Sequence, residues 1–275
     1  MENTRDSEKF WRDIEKELNN LRSFSVLISE NKKETDLLKR VTVLSPMDPI
    51  ILSMTTHDLM TPLAAISGNL KLLKKCLNSG VNLKKIEKYS YNIGTGVHDL
   101  LEMLDQLREV ASIESGVDKI TLKEIDIRGV IQKLEPLFNV LAAEKKHSVV
   151  IDYSDDALNS LIDMTKYKRV INNIFANAVK YTEGNGVIRI SAAKKDEMIC
   201  VSVADTGSGI PEKELEEIFK PFIQIKKREP GDGSMGLGLY ISSYFCKMMG
   251  GNILVESKLG RGSKFTICTP CSSSE

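Results

Sequence analysis

The chain has 275 residues, which is long enough for two domains of ordinary size. Hydrophobic residues make up 41% and charged residues 28%, as is typical of a globular protein in water, and the formal net charge is zero. A neutral chain argues against a nucleic-acid partner bound through bulk charge, and no apolar run is long enough to span a bilayer. We therefore expect this chain to be cytoplasmic and to contain no membrane segment, while a longer, membrane-anchored form stays open.

The five cysteines are scattered along the chain and odd in number, which favours a reducing compartment. Cys268 and Cys271 have C-x-x-C spacing, but a zinc site would need a second pair of ligands. A thioredoxin-like motif would precede a helix, whereas this one follows a predicted strand and leads into a serine-rich tail. We therefore expect neither a zinc site nor a redox centre there.

Residues 1–45 are rich in charge and only weakly periodic. Four apolar positions, Phe10, Ile14, Leu18 and Leu21, favour one amphipathic helix. The segment is too short for a sensory domain with its own core, so this helix either docks on the rest of the chain or transmits a signal.

Residues 46–115 predict two long helices joined by a short loop. Asp48 followed by Pro49 is typical of an N-cap with proline at the first helical position, and the turn signal NSGVN separates the two helices. A lone hairpin cannot bury a whole apolar stripe, so we expect two copies to pair into a four-helix bundle, which makes the protein a homodimer. The apolar seam is formed by Leu52, Thr56, Leu59, Leu63, Ile66, Leu70, Leu73 and Leu77, and then by Ile86, Ile93, Val97, Leu100, Leu104, Leu107 and Ala111.

Residues 116–271 alternate between strand and helix patterns, which favours an α/β sandwich. The predicted strands are 119–126, 148–154, 187–195, 198–207 and a hairpin within 252–269. The predicted helices are 127–143, 164–182, 212–222 and 239–250.

Within the second of these sandwich helices, Asn173 and Asn177 are one turn apart, and Lys180 follows on the same side. Two amides and an ammonium on one face suit a hard cation that bridges phosphates. Taken alone, the stretch is explained more simply as the polar outer face of a helix.

In VADTGSGIP a strand runs into Asp205, and Gly207 and Gly209 allow the backbone to pass close to a ligand. A carboxylate at a strand end could accept a hydrogen bond from an amine such as that of adenine. By itself the pattern is weak, because many turns have this composition.

The stretch KKREPGDGSMGLGLYI runs from three basic residues, 226–228, through glycines into a helix. Glycines before a helix N-terminus leave amide groups available for phosphate, and the proline and glycine content suggests a mobile lid. The order and spacing of these three segments together favour a nucleotide site.

The chain resembles the kinase core of a two-component sensor histidine kinase. TTHDLMTPL, NNIFANAVKYT, DTGSGI, FKPF and GDGSMGLGL are similar to the family's H, N, G1, F and G2 boxes and occur in the family's order, over about residues 50–270. The resemblance implies an antiparallel helical hairpin that forms a dimeric four-helix bundle. An α/β sandwich ATP-binding domain of the histidine kinase, Hsp90 and gyrase type would follow it.

The resemblance also implies that His57 accepts the phosphoryl group. Thr56 lies on the seam, so His57 should lie beside it, on the flank of the bundle and open to solvent. Asp58 would hydrogen-bond the imidazole and raise its basicity, and Thr61 would orient water against the phosphorylated partner. Pro62 should kink the helix. We interpret His98 and His147 as surface residues.

For ATP, the resemblance implies that Asn177 holds Mg²⁺ and that Asp205 binds the adenine amine. Asn173 and Lys180 would position the phosphates, and Tyr181 would pack against adenine. The other implied nucleotide-binding residues belong to the same motifs: Gly207, Gly209, Ile210, Phe222, Gly236, Leu237 and Gly238.

The implied reaction is transfer of the γ-phosphoryl group of MgATP to His57 and then to an aspartate of a response regulator receiver domain. Residues 108–116 are the predicted hinge between the two domains. Met60 replaces a residue that is often basic in the family, and Ser234 and Met235 depart from the G2 pattern, which puts the rate in doubt.

Three alternatives stay open. A gyrase-type ATPase would need a glutamate as base where this chain has Asn173. A degenerate kinase could act as a dimeric, ATP-sensing scaffold. Phosphatase activity toward the regulator could also dominate over kinase activity.

Overall fold

The computed structural model describes residues 49–78, 82–154, 157–224 and 235–272, with side chains from Asp58 onward. These residues form two compact units, a first that extends to Glu114 and a second that begins at Ser115. The predicted helix within residues 1–45, the Asp48 cap, the basic segment 226–228 and Ser234 lie outside the described residues.

The first unit is an antiparallel helical hairpin, as predicted. Helix α1 spans Pro49–Asn78 and helix α2 spans Leu83–Glu114. Gly96 lets the two helices approach closely, since a Cβ atom there would lie 2.8 Å from Cγ1 of Ile66. Among the described residues of the hairpin, the buried side chains are Pro62, Ile66, Leu73, Met103, Val110, Ala111 and Ile113.

One copy of the hairpin covers only part of the predicted seam. Leu77, Val97 and Leu104 remain 42%, 42% and 47% exposed. No helix among the described residues is both long and apolar enough to cross a bilayer.

The second unit is an α/β sandwich. Its strands are β1 (Lys123–Asp126), β2 (Ser148–Tyr153), β3 (Asn159–Ile162), β4 (Val187–Lys195), β5 (Met198–Asp205), β6 (Asn252–Ser257) and β7 (Ser263–Pro270). The central sheet has the strand order β2-β4-β5-β7-β6, in which only the β2–β4 pair is parallel, and β1 and β3 form a separate antiparallel pair. The helices are α3 (Ile127–Glu144), α4 (Met164–Tyr181) and α5 (Gly238–Met248).

The core of this unit lies between the helices and the sheet. Burial alternates along β4, where Ile188 and Ile190 are fully buried between exposed neighbours, as expected for a sheet with one covered face. The rings of Phe138 on α3 and Phe175 on α4 stack with their centroids 4.1 Å apart. This packing fixes α4, the helix with the predicted asparagines, against the sheet.

Two local elements differ from the sequence prediction. The segment 212–222 forms two short 3₁₀ turns, Glu212–Glu214 and Glu217–Phe219, rather than one helix. Pro221 disfavours a helical conformation in the residue before it, so the last turn stops there. Strand β3 was not predicted, because four residues without a clear period give no signal.

The prediction that His147 is a surface residue is wrong. Lys146 has a positive φ of 59° and turns the chain inward, so that His147 is only 8% exposed. Its backbone N–H donates to the carbonyl of Ala142 at 2.9 Å, and its Nε2 lies 3.2 Å from the carbonyl oxygen of Val179. His98 is exposed on α2, as predicted.

The cysteine positions gave no indication of a pair that the structure contains. Cys200 on β5 and Cys268 on β7 are register partners with Cα atoms 4.2 Å apart, and they form a disulfide. Cys268 is therefore not paired with Cys271. Among the described residues, no group of three or more His, Cys, Asp and Glu side chains could hold a metal ion.

Candidate functional site

Helix α4 presents the predicted polar residues on one face. The Asp163 carboxylate caps the helix by accepting hydrogen bonds from the N–H groups of Thr165 and Lys166, at 3.0 and 3.1 Å. The opposite face is the buried one and carries Tyr167, Val170, Ile171, Ile174, Phe175 and Ala178. Asn173, Asn177 and Lys180 are half-buried, away from that core.

Helices α4 and α5 contact each other in antiparallel order. Lys166, near the start of α4, places its Nζ 4.1 Å from the ring centroid of Phe245. Asn173, two turns later, donates from Nδ2 to the Oγ of Ser242 at 2.9 Å. Residues later in α4 therefore pack against residues earlier in α5. Asn177 is one further turn along α4 in the same direction, a rise of about 6 Å.

The beginning of α5 is an uncapped helix N-terminus. Leu237 precedes the helix and has no side-chain cap, and its carbonyl accepts from Ile241 N at 3.0 Å. The first N–H groups of a helix have no acceptor within the helix, and they form a favourable place for phosphate. Asn173, one turn before Asn177 on α4, contacts the first turn of this helix end.

The N-terminus of α5 is held in place by three residues around it: Phe222, Gly236 and Leu237. Phe222 donates its N–H to the carbonyl of Gly236 at 3.1 Å and is only 9% exposed, and Leu237 is fully buried. Gly236 has φ +70° and would bring a Cβ atom to 2.5 Å from the carbonyl oxygen of Ile223. Phe222 itself has φ +65°, a conformation that a bulky residue adopts only when its surroundings hold it there.

Asp205 is the last residue of β5, and the loop that follows it contacts the C-terminal end of α4. Its Oδ1 accepts hydrogen bonds from the N–H groups of Gly207 at 2.8 Å and Ser263 at 3.2 Å, and neither bond uses Oδ2. Burial raises the pKa of the Asp205 carboxyl, although both N–H groups act to lower it. The carboxylate is held in place with one oxygen left for a ligand.

The loop after β5 is attached to the end of α4. Ser208 donates its N–H to the carbonyl of Tyr181 at 3.2 Å, and Gly207 packs so closely on that carbonyl that no Cβ atom would fit. The Tyr181 ring is 39% exposed, and Nζ of Lys180 lies 5.1 Å from its centroid. The loop that follows Asp205 is therefore attached to α4 at Tyr181, and Lys180 lies beside the Tyr181 ring.

Gly209 and Ile210 shape this loop from the side of β6. Gly209 has φ +66° and lies against the backbone of Lys258, where a Cβ atom would not fit. Ile210 donates its N–H to the Oγ of Ser257 at 2.8 Å. Both contacts join the loop after β5 to the end of β6.

Two polar residues at this site were missed by sequence reasoning. Ser242 holds the Asn173 amide, and Ser263 supplies an N–H group to Asp205. Ser242 follows Gly238 by one helical turn, so helical spacing could have indicated it. The Ser263 contact depends on strand register, which local residue patterns do not reveal.

The predicted phospho-acceptor residues belong to the first unit. His57 lies on α1, and Thr61, Ala64 and Gly68, which follow on the same face, are all exposed. Asp58 is half-buried and Pro62 is buried. The second unit contains all the predicted nucleotide-binding and metal-binding residues.

Comparison with known families identifies two domains. Residues 51–116 match the His Kinase A (phospho-acceptor) domain, and residues 162–273 match the histidine kinase-, DNA gyrase B- and HSP90-like ATPase. The second match supports ATP binding by this unit.

Two curated relatives are similar to most of this chain. The autoinducer 2 sensor kinase/phosphatase LuxQ of Vibrio vulnificus (strain YJ016) is 31% identical over 234 residues, which cover 82% of this chain and 26% of LuxQ. The sensor protein EvgS of Escherichia coli O157:H7 is 33% identical over 229 residues, which cover 80% of this chain and 18% of EvgS. The chain thus spans about a quarter of LuxQ and less of EvgS.

Among solved structures, histidine kinase ThkA in complex with response regulator protein TrrA is similar with a TM-score of 0.63 and 23% identity. The match covers 88% of this chain and 66% of that one. At this identity, the similarity shows a shared fold.

Proposed function

The chain belongs to the sensor histidine kinases of two-component systems, and we propose that it transfers the γ-phosphoryl group of MgATP to a ring nitrogen of His57. The phosphoryl group would then pass to an aspartate of a response regulator receiver domain. The observation that supports this proposal is a row along α4, which runs from Asn173, bonded to the first turn of α5, past Asn177 to Tyr181, whose carbonyl accepts from the loop after Asp205. The same chain contains a phospho-acceptor hairpin with His57.

The base of ATP is proposed to lie at the Asp205 end of the row. The Oδ2 atom of Asp205 would accept a hydrogen bond from the exocyclic amine of adenine, and the partly exposed Tyr181 ring would pack against the base. Gly207 keeps the loop close enough to α4 for both contacts. Because an ionised carboxylate is the better acceptor, the site selects an amine donor at this position.

The phosphates are proposed to lie at the other end, in front of the first turn of α5. The helix N-terminus would supply N–H groups, and Lys180 would supply a positive charge. Asn177 would hold Mg²⁺ through its amide oxygen. Mg²⁺ prefers oxygen ligands and commonly takes few of them from the protein, which fits a site where the described residues provide no carboxylate cluster. When bound, the ion would neutralise charge on the phosphate oxygens.

His57 is proposed to attack the γ-phosphorus with the lone pair of one ring nitrogen. The new N–P bond forms as the bond between phosphorus and the β,γ-bridging oxygen breaks, and ADP leaves with that oxygen. The proton on the other ring nitrogen would be held or accepted by Asp58. The exposed positions that follow His57 on α1 support an accessible imidazole.

Hydrolysis by a gyrase-type mechanism is disfavoured at this site. The residue in the place of the catalytic glutamate is Asn173, and its amide already donates to Ser242. An amide cannot accept a proton from water at neutral pH. A histidine acceptor is therefore the better match to these side chains.

Dimerisation through the hairpin is part of the proposal. Leu77, Val97 and Leu104 are seam positions that one copy leaves more than 40% exposed. A second hairpin packed against this stripe would bury them in a four-helix bundle.

Phosphatase activity toward the regulator is a second proposed activity. Thr61 is exposed one turn after His57, where its hydroxyl could orient a water molecule. The relative LuxQ is named a sensor kinase/phosphatase, which supports the same assignment.

The proposal is tested by incubating the purified protein with MgATP labelled at the γ-phosphate, beside His57→Ala and Asn177→Ala. We expect acid-labile, alkali-stable label on the parent and on neither variant. Tight ATP binding without label would contradict the kinase assignment. It would favour an ATP-sensing scaffold, with Met60 as the first residue to change to arginine.

A further inference from the structure

Asn173 is held by α5 at two points, which sets it apart from the other polar residues on its face of α4. Its Nδ2 donates to the Oγ of Ser242 at 2.9 Å, and Ser242 is only 2% exposed. Its Oδ1 lies against Gly238, so closely that a Cβ atom on Gly238 would not fit. Gly238 and Ser242 are one turn apart, so the amide spans the first turn of α5.

These two contacts connect the helix that carries Asn177 with the helix whose N-terminus would meet the phosphates. Asn173 Nδ2 donates to Ser242 and Oδ1 packs against Gly238, so the described contacts of this amide are with the first turn of α5. The Asp205 end of the row is held differently, by N–H groups from Gly207 and Ser263 that involve neither α5 nor Ser242. The two ends of the row are therefore fixed by separate sets of bonds.

We propose that Ser242 is a positioning residue for phosphoryl transfer, which acts through Asn173 to hold the start of α5 in register with Asn177. This inference rests on the proposed function. If the register is lost, the γ-phosphate has no fixed place between the N–H groups of α5 and the metal held by Asn177. The adenine contacts do not depend on that register, so nucleotide affinity is expected to change little.

The test compares Ser242→Ala with the parent in two measurements. The rate constant of His57 phosphorylation at saturating MgATP is expected to fall about tenfold or more, because a small displacement of reacting groups is costly in rate. Binding of MgADP, measured by calorimetry, is expected to stay within about twofold, since the base end is intact.

Two further variants separate positioning from general damage. Ser243→Ala removes the neighbouring hydroxyl, for which the structure gives no bond to Asn173, and it should behave as the parent. Asn173→Ala should slow phosphorylation, and combining it with Ser242→Ala should add almost nothing, because both changes remove the same bond.

The outcomes distinguish the inference from the proposed function. A parent that binds MgADP but leaves His57 unphosphorylated overturns the proposed function and this inference with it. An active parent with an equally active Ser242→Ala variant overturns only the inference. So does a Ser242→Ala variant that loses rate and MgADP affinity in equal measure, since that pattern indicates a structural role.

Discussion

The two units of this chain differ in how much apolar surface a single copy can cover. In the sandwich, the largest core side chains, including Tyr167, Phe138 and Phe175, are fully buried. In the hairpin, Val97, Leu101 and Leu104 are 42%, 57% and 47% exposed, and they follow one another at helical spacing as a stripe. Stripes of this kind mark an interface, whereas exposed apolar residues scattered singly do not. The sandwich therefore buries its largest apolar side chains within one copy, whereas the hairpin leaves a stripe that a second copy could cover.

The largest expected effect is a loss of stability when a cavity is made in the core of the sandwich. Phe175→Ala removes a fully buried ring stacked on Phe138 and should destabilise the sandwich by about 3–5 kcal/mol. The hairpin should keep its own unfolding transition in urea, monitored by circular dichroism. Phe175→Leu, the milder control, should cost less. One shared transition that moves with both variants would show that the units do not fold independently.

The second largest expected effect concerns dimerisation through the helical hairpin. Leu104→Glu places a charge in the exposed stripe and removes about 2 kcal/mol of apolar burial per protomer. We expect dissociation into monomers by analytical ultracentrifugation, with nucleotide affinity unchanged. Leu254→Glu is the matched control, because Leu254 is 52% exposed on β6 of the sandwich. If both variants remained dimeric, the stripe would not be the interface.

Asp205 tests whether nucleotide binding is confined to the sandwich. Asp205→Asn removes a charged acceptor and should weaken MgATP binding about 10- to 100-fold while the dimer persists.

The same residue predicts a pH dependence. Because burial raises the pKa of Asp205, its carboxylate takes up a proton at a higher pH than an ordinary aspartate does. Affinity for MgATP should be complete above that raised value and decline as the pH falls through it. Titration calorimetry over a pH series should show this decline in the parent and a flat profile in Asp205→Asn. A parent profile as flat as that of the variant would argue against Asp205 as an acceptor.

The smallest expected effect separates two glycines of α2. A Cβ atom on Gly96 would come within 2.8 Å of Ile66, whereas one on Gly94 would meet nothing within 4 Å. Gly96→Ala should therefore destabilise the hairpin by about 1 kcal/mol or more through overpacking. Gly94→Ala should stabilise it by about 0.5–1 kcal/mol through helix propensity. Thermal unfolding checks the pair, and shifts in the same direction would contradict the packing described here.

The elements with strong periodicity could be predicted from the sequence. The heptad spacing gave both helices of the hairpin, and the apolar stripe of α4 placed Asn173, Asn177 and Lys180 on its opposite face. The glycine-containing motifs also singled out Gly207 and Gly236. In the structure, the neighbours of both glycines leave no space for a Cβ atom.

What the sequence did not reveal depends on contacts between distant segments. The Cys200–Cys268 pair follows from the register of β5 against β7, and the Asn173–Ser242 bond follows from the packing of α4 on α5. His147 was misjudged because the positive φ of Lys146, which turns it inward, has no signature in residue type. Register and packing are set by the whole fold, so local patterns do not reach them.

The central claim, that His57 accepts the phosphoryl group, is tested most directly by mass spectrometry. The protein is incubated with MgATP, digested at neutral or alkaline pH, and the peptide that contains His57 is sequenced beside those that contain His98 and His147. We predict the added mass of one phosphoryl group on His57 alone, lost after mild acid. A phosphoryl group on another residue, or on none despite bound ATP, would contradict the account.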